Sequence, residues 1–214
     1  MLGIYVGDLN DAGRHLRAWL GIGDPFGVAH FEERYRQPDP WNYGRSRYDL
    51  LKRQVVDYAL GAGPWGRALD VGAGEGHLAE HLRDRFDSID LLDASAAALG
   101  RARARVGLPG LDCAGDLRAS LQGLEAGVYG ACLVSEVLYY LAPLPWGRVD
   151  RALRTAVARA LRPGGRVVLV HPQPYLWHRA WKFDRRFRHA IAVTLDVGRR
   201  VEVLALDRTE VPAR

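Results

Sequence analysis

The middle of the chain alternates short runs of aliphatic and β-branched residues with longer segments that repeat apolar residues at helical spacing. The short runs predict strands at 67–71, 88–92, 111–114, 129–135 and 166–171. The longer segments predict helices at 47–60, 76–86, 95–106 and 146–161. Strands and helices that alternate in this way form a parallel sheet with helices on both faces.

Two breaks in the pattern predict how this region ends. The sequence Arg162-Pro163-Gly164-Gly165 is expected to end the last helix, because glycine tolerates a left-handed cap and proline cannot continue a helix. Two further strand-like runs, 190–197 and 201–206, flank Gly198-Arg199-Arg200 and predict a closing hairpin.

The composition is that of a single globular domain. The chain has 214 residues, of which 48% are hydrophobic and 26% are charged. No apolar run approaches the roughly 18–20 residues that cross a bilayer. The cysteines, Cys113 and Cys132, lie far apart and form no C-x-x-C pair. We therefore expect a soluble, cytoplasmic protein with no membrane partner.

The most specific motif is a glycine-rich loop that follows the first predicted strand, Asp70-Val71-Gly72-Ala73-Gly74-Glu75-Gly76-His77. Glycines adopt backbone angles that other residues avoid, and they let a ligand lie against the main chain. Dinucleotide sites space their glycines as G-x-G-x-x-G, whereas this loop reads G-x-G-x-G. Asp70 would repel a phosphate but can accept hydrogen bonds that lead to a cationic amine. The loop therefore favours S-adenosylmethionine over NAD.

With this loop, the chain resembles the class I S-adenosylmethionine-dependent methyltransferases over residues 68–207. The resemblance implies an α/β, Rossmann-like fold with a mostly parallel seven-stranded sheet, an antiparallel last strand and helices on both faces. It also implies two regions, an N-terminal helical leader that caps the cofactor (1–60) and the methyltransferase domain itself (61–214).

The family's cofactor contacts correspond to residues that follow successive predicted strands. The resemblance implies that Asp93, next to Ala94, accepts hydrogen bonds from the ribose hydroxyls, since a carboxylate is an acceptor only. It implies that Asp116 and the main chain at Leu117 contact the adenine, and that Ser135 lies where the methyl-bearing sulfur faces the acceptor. Taken singly, Asp116 is also a plausible helix cap, and Asp93 a plausible Asx-turn residue.

A second segment, 39–52, is similar to one in the nodulation-type N-methyltransferases, the NodS family, which act on an amino sugar. The block 135–141 is similar to theirs as well. The resemblance implies that Tyr48, Ser46 and Arg45 contact the carboxylate of the cofactor. The chain departs from the family pattern at Gly44, where an arginine is usual. The alternative is that Trp41, Tyr43 and Tyr48 are core aromatics at the start of a helix.

Methyl transfer to an amine requires a neutral nucleophile, and a nearby carboxylate or imidazole can take its proton. The candidates at the carboxyl ends of the fourth and fifth predicted strands are Glu136, Tyr140 and His171, with Glu136 preferred. Glu136 is alternatively a helix cap or a ligand of the cofactor's methionine part, and His171 a structural residue. We expect N-methylation of a small molecule, either an amino sugar or a related metabolite, including acidic or phosphorylated ones. The alternatives are O-methylation of a secondary metabolite and methylation of RNA.

The formal charge of +5 comes almost entirely from arginine, because the chain has only two lysines. The segment 177–189 combines five cations with four aromatic residues, and its aromatic spacing predicts an amphipathic helix that packs on the sheet or forms a lid. Binding of an acidic acceptor or of RNA are the alternatives, but one basic segment makes nucleic acid an unlikely partner. His77 and His81 match the zinc-peptidase spacing H-x-x-E-H, but the glycine loop leaves no room for that site, so we expect no metal.

Overall fold

A computed structural model describes residues 26–141, 147–172, 177–196 and 200–209, together with residues 13, 14, 17 and 23. The described residues contain a seven-stranded sheet with the order β3-β2-β1-β4-β5-β7-β6. The strands are β1 (Arg67–Val71), β2 (Ser88–Asp93), β3 (Asp112–Ala114), β4 (Tyr129–Ser135), β5 (Leu161–Pro172), β6 (Phe187–Asp196) and β7 (Arg200–Arg208). Strands β1 to β5 pair in parallel, and β7 pairs antiparallel with both of its neighbours, β5 and β6.

Helices cover both faces of this sheet. They are α1 (Val28–Arg34), α2 (Arg47–Leu60), α3 (His77–His81), α4 (Ala96–Val106), α5 (Leu117–Gln122), α6 (Leu138–Leu141), α7 (Arg148–Ala160) and α8 (Trp177–Lys182). Together with the strand order, this arrangement confirms the predicted Rossmann-like α/β fold with a mostly parallel sheet and an antiparallel last strand. None of the helices within the described ranges is long and apolar enough to cross a membrane.

Alternating residues of the strands build two apolar layers, one on each face of the sheet. On one face, Leu69 of β1 joins a cluster with Leu121 of α5 and Val157 of α7. On the other face, Ala68 joins a cluster with Leu60 of α2 and with residues of α3 and α4. Burying one large aliphatic side chain completely stabilises the folded state by about 1.5–3 kcal/mol. The two layers therefore fix the sheet on which the site is built.

Two predicted helices are shorter than expected. The predicted helix 76–86 ends at His81 and continues as a single 3₁₀ turn, Arg83–Arg85. The predicted helix 146–161 runs from Arg148 to Ala160, with Leu161 in extended geometry as its cap, so the glycine cap expected within 162–165 was wrong. Gly164, at φ +73°, instead lies within β5, where the register to β4 jumps between Tyr129 and Ala131. The chain returns to the ladder at Arg166, opposite Ala131.

The predicted single helix over 177–189 was also wrong, because only Trp177–Lys182 is helical and β6 begins at Phe187. The buried Asp184 accepts hydrogen bonds from the backbone N–H of Arg186 (3.1 Å) and from Arg154 of α7. These contacts stabilise the turn that leads from α8 into β6, the first strand of the hairpin. The rings of Trp181 and Phe187, both buried, then pack 5.4 Å apart on opposite sides of the turn. The predicted hairpin itself is present as β6 and β7, and its tip, 197–199, lies outside the described residues.

The order of the strands in the sheet determines where the candidate site lies. Strand β1 is flanked by β2 and β4, so the chain leaves β1 toward one side and β4 toward the other. Open α/β sheets bind their ligands in the crevice at this switch point, outside the carboxyl ends of the strands. Asp70, Asp93 and Ser135, which the sequence indicated, lie at or next to the carboxyl ends of β1, β2 and β4.

Candidate functional site

A cavity of about 1120 Å³, which includes its part open to solvent, lies at this edge of the sheet. Its walls combine aromatic side chains that precede β1, including Phe31, Tyr35, Trp41 and Tyr43, with the loops after β1, β2, β3 and β4. Most of the residues that the sequence singled out line it: Asp70, Gly72, Gly74, Asp93, Ala94, Asp116, Leu117, Ser135, Glu136 and Tyr140.

Gly72 and Gly74 shape the wall next to β1. Their φ angles are +74° and +54°, in the left-handed region. A Cβ on Gly72 would lie 2.6 Å from Cγ2 of Val137, and one on Gly74 would lie 2.7 Å from the hydroxyl oxygen of Tyr35. Both angle and space therefore require glycine, and the main chain of the loop is left as cavity wall.

Gly76 has a different task from the other two glycines. It lies outside the cavity lining, and it caps the N-terminus of α3 at φ +77°. A Cβ at this position would lie 3.0 Å from Ala102 and 3.1 Å from Val106, both on α4. Gly76 therefore lets α3 approach α4 closely, and its predicted cofactor contact stays a prediction.

Asp70 brings a buried carboxyl to the cavity. It is 2% exposed, and its Oδ2 atom has no hydrogen-bond partner among the described residues. Burial, together with the nearby negative charge of Asp93, raises the pKa of Asp70 to about 7. A carboxyl held in this way exchanges its proton near neutral pH, so a cation in the cavity would favour its ionised form.

Asp93 ends β2 with both carboxylate oxygens engaged. Its Oδ2 atom accepts from the backbone N–H of Gly74 (2.8 Å) and its Oδ1 atom from that of Ser95 (2.9 Å). Burial raises the pKa of Asp93, whereas hydrogen bonds from the main chain act in the opposite direction. Asp93 therefore forms the Asx turn that the alternative predicted, through the N–H of Ser95. The side chain of Asp93 also lines the cavity, and each of its oxygens has a further lone pair to accept a hydrogen bond.

Asp116 also combines two positions. It is the N-cap of α5, where its Oδ1 atom accepts from the N–H of Arg118 at 2.8 Å, so the helix-cap alternative is present. Asp116 and Leu117 nevertheless line the cavity beyond the carboxyl end of β3. Capping orients the carboxylate of Asp116 without removing it from the cavity wall.

Glu136 is the most constrained side chain at the carboxyl end of β4. Its φ is +55°, a left-handed angle that is costly for a residue with a side chain. Its N–H donates to the carbonyl of Val170 on β5 (2.9 Å), and it is 8% exposed. Its Oε1 atom accepts from the hydroxyl of Tyr48 (2.6 Å) and from Nζ of Lys52 (3.3 Å). The fold thus holds a carboxylate, a tyrosine and a lysine of distant segments together at the cavity.

Comparison with known proteins agrees with this geometry. Residues 69–169, which carry the glycine loop, Asp93, Asp116 and Glu136, match the family model of a methyltransferase domain. The crystal structure of the N-methyltransferase NodS from Bradyrhizobium japonicum WM9, in complex with S-adenosyl-L-homocysteine, has the same fold, with a TM-score of 0.72 at 19% identity. The match covers 86% of this chain and 98% of that one. Over residues 69–169 the chain is thus similar to the methyltransferase-domain family, and it has the fold of the NodS structure.

Two relatives share part of this chain's sequence. It is 28% identical over 134 residues to nodulation protein S of Rhizobium tropici, covering 61% of this chain and 53% of that protein. It is 32% identical over 149 residues to ribosomal RNA small subunit methyltransferase C of Chromohalobacter salexigens, covering 68% of this chain and 44% of that protein. The chain thus spans about half the length of these relatives.

The cavity suits S-adenosylmethionine, the cofactor that the resemblance to the methyltransferases implies. The main chain at Gly72 and Gly74 forms a wall that side chains would fill, and the orphaned Oδ2 atom of Asp70 is an acceptor for a cationic ligand. Asp93 and Asp116 supply acceptors from the next two strands. No pyrophosphate would be favoured beside the carboxyls of Asp70 and Asp93.

Besides Gly76, four predicted site residues lie outside the cavity lining. Ser46 is the N-cap of α2, where its Oγ atom accepts from the N–H of Asp49 at 3.3 Å, and its neighbour Arg45 is exposed. Tyr48 reaches the site indirectly, through its hydrogen bond to Glu136. His171 is 1% exposed at the end of β5, with its ring 6.3 Å from that of Tyr139. The predicted roles of these four residues at the site stay predictions.

Sequence reasoning missed several residues that line the cavity, chiefly Lys52, Glu75 and His77. Trp41 and Tyr43, which also line it, belong to the NodS-like segment 39–52. Lys52 had an available signal, because it is one of two lysines in a chain whose other cations are arginines. Nothing in the sequence could reveal its partner, because Lys52 and Glu136 are 84 positions apart.

Asp39, Glu75 and His77 place one ligand atom each within 4.8 Å of one another, which would suit a metal ion. The carboxylates are already engaged, however. Oε1 of Glu75 accepts from Nε of Arg101 (2.7 Å) and from the N–H of Asp39 (2.9 Å). The two oxygens of Asp39 accept from the N–H groups of Tyr43 and Gly44. Burial and the positive charge of Arg105 lower the pKa of His77. We infer that the hydrogen bonds of Asp39 and Glu75 hold the segment before α2 against the glycine loop.

Proposed function

We propose that this methyltransferase uses S-adenosylmethionine to methylate an amine of a small molecule, an amino sugar or a related metabolite. The observation that carries the proposal is the buried Glu136 carboxylate, which a left-handed backbone holds at the cavity lining. The named activities of the NodS relatives, which are N-methyltransferases, support the choice of nitrogen.

The chemistry divides between the cofactor and this chain's own residues. When bound, S-adenosylmethionine supplies a methyl group on a positively charged sulfur. An amine must lose its proton before it can act as a nucleophile, and Glu136 is placed to accept that proton or to hold the neutral amine by a hydrogen bond. Tyr140, which lines the same wall, bounds the acceptor's side of the cavity.

The region that precedes β1 acts, in this proposal, as a cap. Val28 and Phe31 of α1 line the cavity, and the ring of Phe31 lies 5.2 Å from that of Tyr140. Glu32 of the same helix accepts from the N–H of Ala96 (2.6 Å) and from Oγ of Ser95 (3.0 Å), at the start of α4. A wall held from both sides in this way excludes water from the reacting atoms, which favours the transfer.

The proposal is tested by a transfer screen. Purified protein and tritium-methyl S-adenosylmethionine are incubated with amino sugars, simple amines, phenols, phosphorylated metabolites and ribosomal RNA, and the products are fragmented in a mass spectrometer. We expect label in an amino compound, with the added methyl group on nitrogen. Label only in phenols would replace the proposal by O-methylation, and label only in RNA would replace it by the activity named for the Chromohalobacter relative.

A point substitution tests the role of Glu136. We expect Glu136→Gln to lower kcat for the amine by about 10²- to 10⁴-fold, because the amide cannot accept the proton. Affinity for S-adenosylhomocysteine should stay within a few-fold. The matched control is Glu202→Gln, which removes a carboxylate that pairs with Lys182 at 2.6 Å, outside the cavity lining. Equal kcat values for Glu136→Gln and Glu202→Gln would contradict the role.

A further inference from the structure

Lys52 is an unusual lysine, because its side chain is only 8% exposed and lies between two carboxylates. Its Nζ atom is 2.6 Å from Oδ1 of Asp49, one turn back on α2, and 3.3 Å from Oε1 of Glu136. The ammonium also lies 5.1 Å from the ring centroid of Tyr43 and 5.2 Å from that of Tyr48. Burying a charged group costs free energy unless the group is paired. The buried position of Lys52 between two carboxylates therefore indicates a role other than keeping the protein soluble.

We propose that Lys52 is a positioning residue that keeps the Glu136 carboxylate ionised and fixed at the cavity wall, ready to receive the acceptor's hydrogen. This inference deepens the proposed function and rests on it for the role of Glu136. Two observations carry it. Lys52 and Tyr48 donate to the same oxygen of Glu136, and Lys52 lines the cavity beside it. A buried carboxylate without such donors would favour its neutral form, which cannot accept a proton.

Among the described residues, the other groups near Glu136 do not supply this positive charge. Asp49 is an acid, and Tyr43 and Tyr139 are neutral, since burial raises the pKa of both well above the ordinary value. The ring of His171, on β5, lies 6.3 Å from that of Tyr139. Within the described ranges, the titratable and charged groups near Glu136 are, by element, Tyr43 before α2, Tyr48, Asp49 and Lys52 on α2, Tyr139 and Tyr140 on α6, and His171 on β5.

A titration of the Glu136 carboxyl tests the proposal without any acceptor or methyl donor. The protein is labelled with [δ-¹³C]glutamate, the Glu136 resonance is identified by its loss in Glu136→Gln, and its shift is followed against pH. We expect Lys52→Met to move the titration midpoint of Glu136 upward by about one pH unit or more, as loss of an adjacent opposite charge does. Tyr48→Phe should move it less, because the cation remains.

Two controls keep the test decisive. Lys182→Met removes the chain's other lysine, which pairs with Glu202 at 2.6 Å, and should leave the Glu136 midpoint in place. Asp49→Asn with Lys52→Met removes both members of the neighbouring ion pair, so it avoids a second unpaired carboxylate if Lys52→Met alone does not fold. If neither folds, the wild-type midpoint decides: a value at or below about 4.3, the ordinary glutamate value, supports the proposal, and a higher one overturns it.

The competing role for Lys52 is direct binding of the cofactor's carboxylate. In that case Lys52→Met would weaken binding of S-adenosylhomocysteine by tenfold or more in calorimetry and leave the Glu136 midpoint unchanged, and the proposal would be overturned. A raised midpoint with affinity changed less than threefold supports it. A protein that fails the transfer screen can still give either result, so failure of the proposed function and failure of this inference are separable.

Discussion

Asp93 carries the residue-scale prediction for the cofactor. We expect Asp93→Ala to weaken the binding of S-adenosylhomocysteine by about 1–3 kcal/mol, because a buried acceptor that faces the ligand is lost. Isothermal calorimetry measures the change. The control is Asp112→Ala on the neighbouring β3, whose carboxylate pairs with Arg103 outside the cavity lining. Unchanged affinity in Asp93→Ala would remove Asp93 from the cofactor site.

Asp70 makes the stability of the fold depend on pH. Its pKa is about 7 in the folded protein, above the value of 3.8 expected for an exposed aspartate, so the folded state holds a proton that the unfolded state has lost between these values. Stability should therefore fall as pH rises from about 4 to 7. We expect the melting temperature of Asp70→Asn, relative to wild type, to increase across the same range. A difference independent of pH would contradict the raised pKa.

At the scale of elements, the three glycines of one motif serve two purposes. Gly76→Ala should lower the free energy of unfolding by about 1–3 kcal/mol, since it combines a left-handed backbone with contacts of 3.0 Å to α4. The matched control is Gly100→Ala within α4, which has open space around it and should stabilise the helix by up to about 1 kcal/mol. Urea unfolding compares the two. Equal stabilities would show that α3 and α4 do not depend on Gly76.

Elements with a repeating local signal were predictable, and those decided by distant contacts were not. The predicted strand 67–71 and helix 47–60 have the bounds seen in the structure, because their apolar spacing is written in the sequence itself. The segment 177–189 failed because Asp184 binds Arg154 of a remote helix, which stops α8 and starts β6. At the site, the glycine loop and the strand-end carboxyls were found from their order. The pairing of Glu136 with Tyr48 and Lys52 was not, since it joins segments 84 to 88 residues apart.

At the scale of the whole molecule, the sheet order and the charges at its carboxyl edge determine what the cavity can hold. Strands β1, β2 and β4 bring Asp70, Asp93 and Glu136 to one cavity, which therefore favours a ligand with positive charge over a pyrophosphate. Two cations of α8 and its following turn pair inside the fold, Lys182 with Glu202 and Arg186 with Asp184, which leaves Arg179 and Arg185 exposed. We therefore expect RNA to be retained weakly, and equally by the wild type and by Arg185→Gln, in a salt titration. Strong retention lost in Arg185→Gln would contradict this.

The most direct measurement is calorimetric titration of the wild-type protein with S-adenosylhomocysteine, with NAD and ATP as competitors for the crevice beside Gly72. We expect saturable binding of S-adenosylhomocysteine at one site per chain and no measurable heat from NAD or ATP. Binding of NAD or ATP in a protein that ignores S-adenosylhomocysteine would mean that the cavity serves a phosphate-bearing ligand and that the chain does not transfer methyl groups.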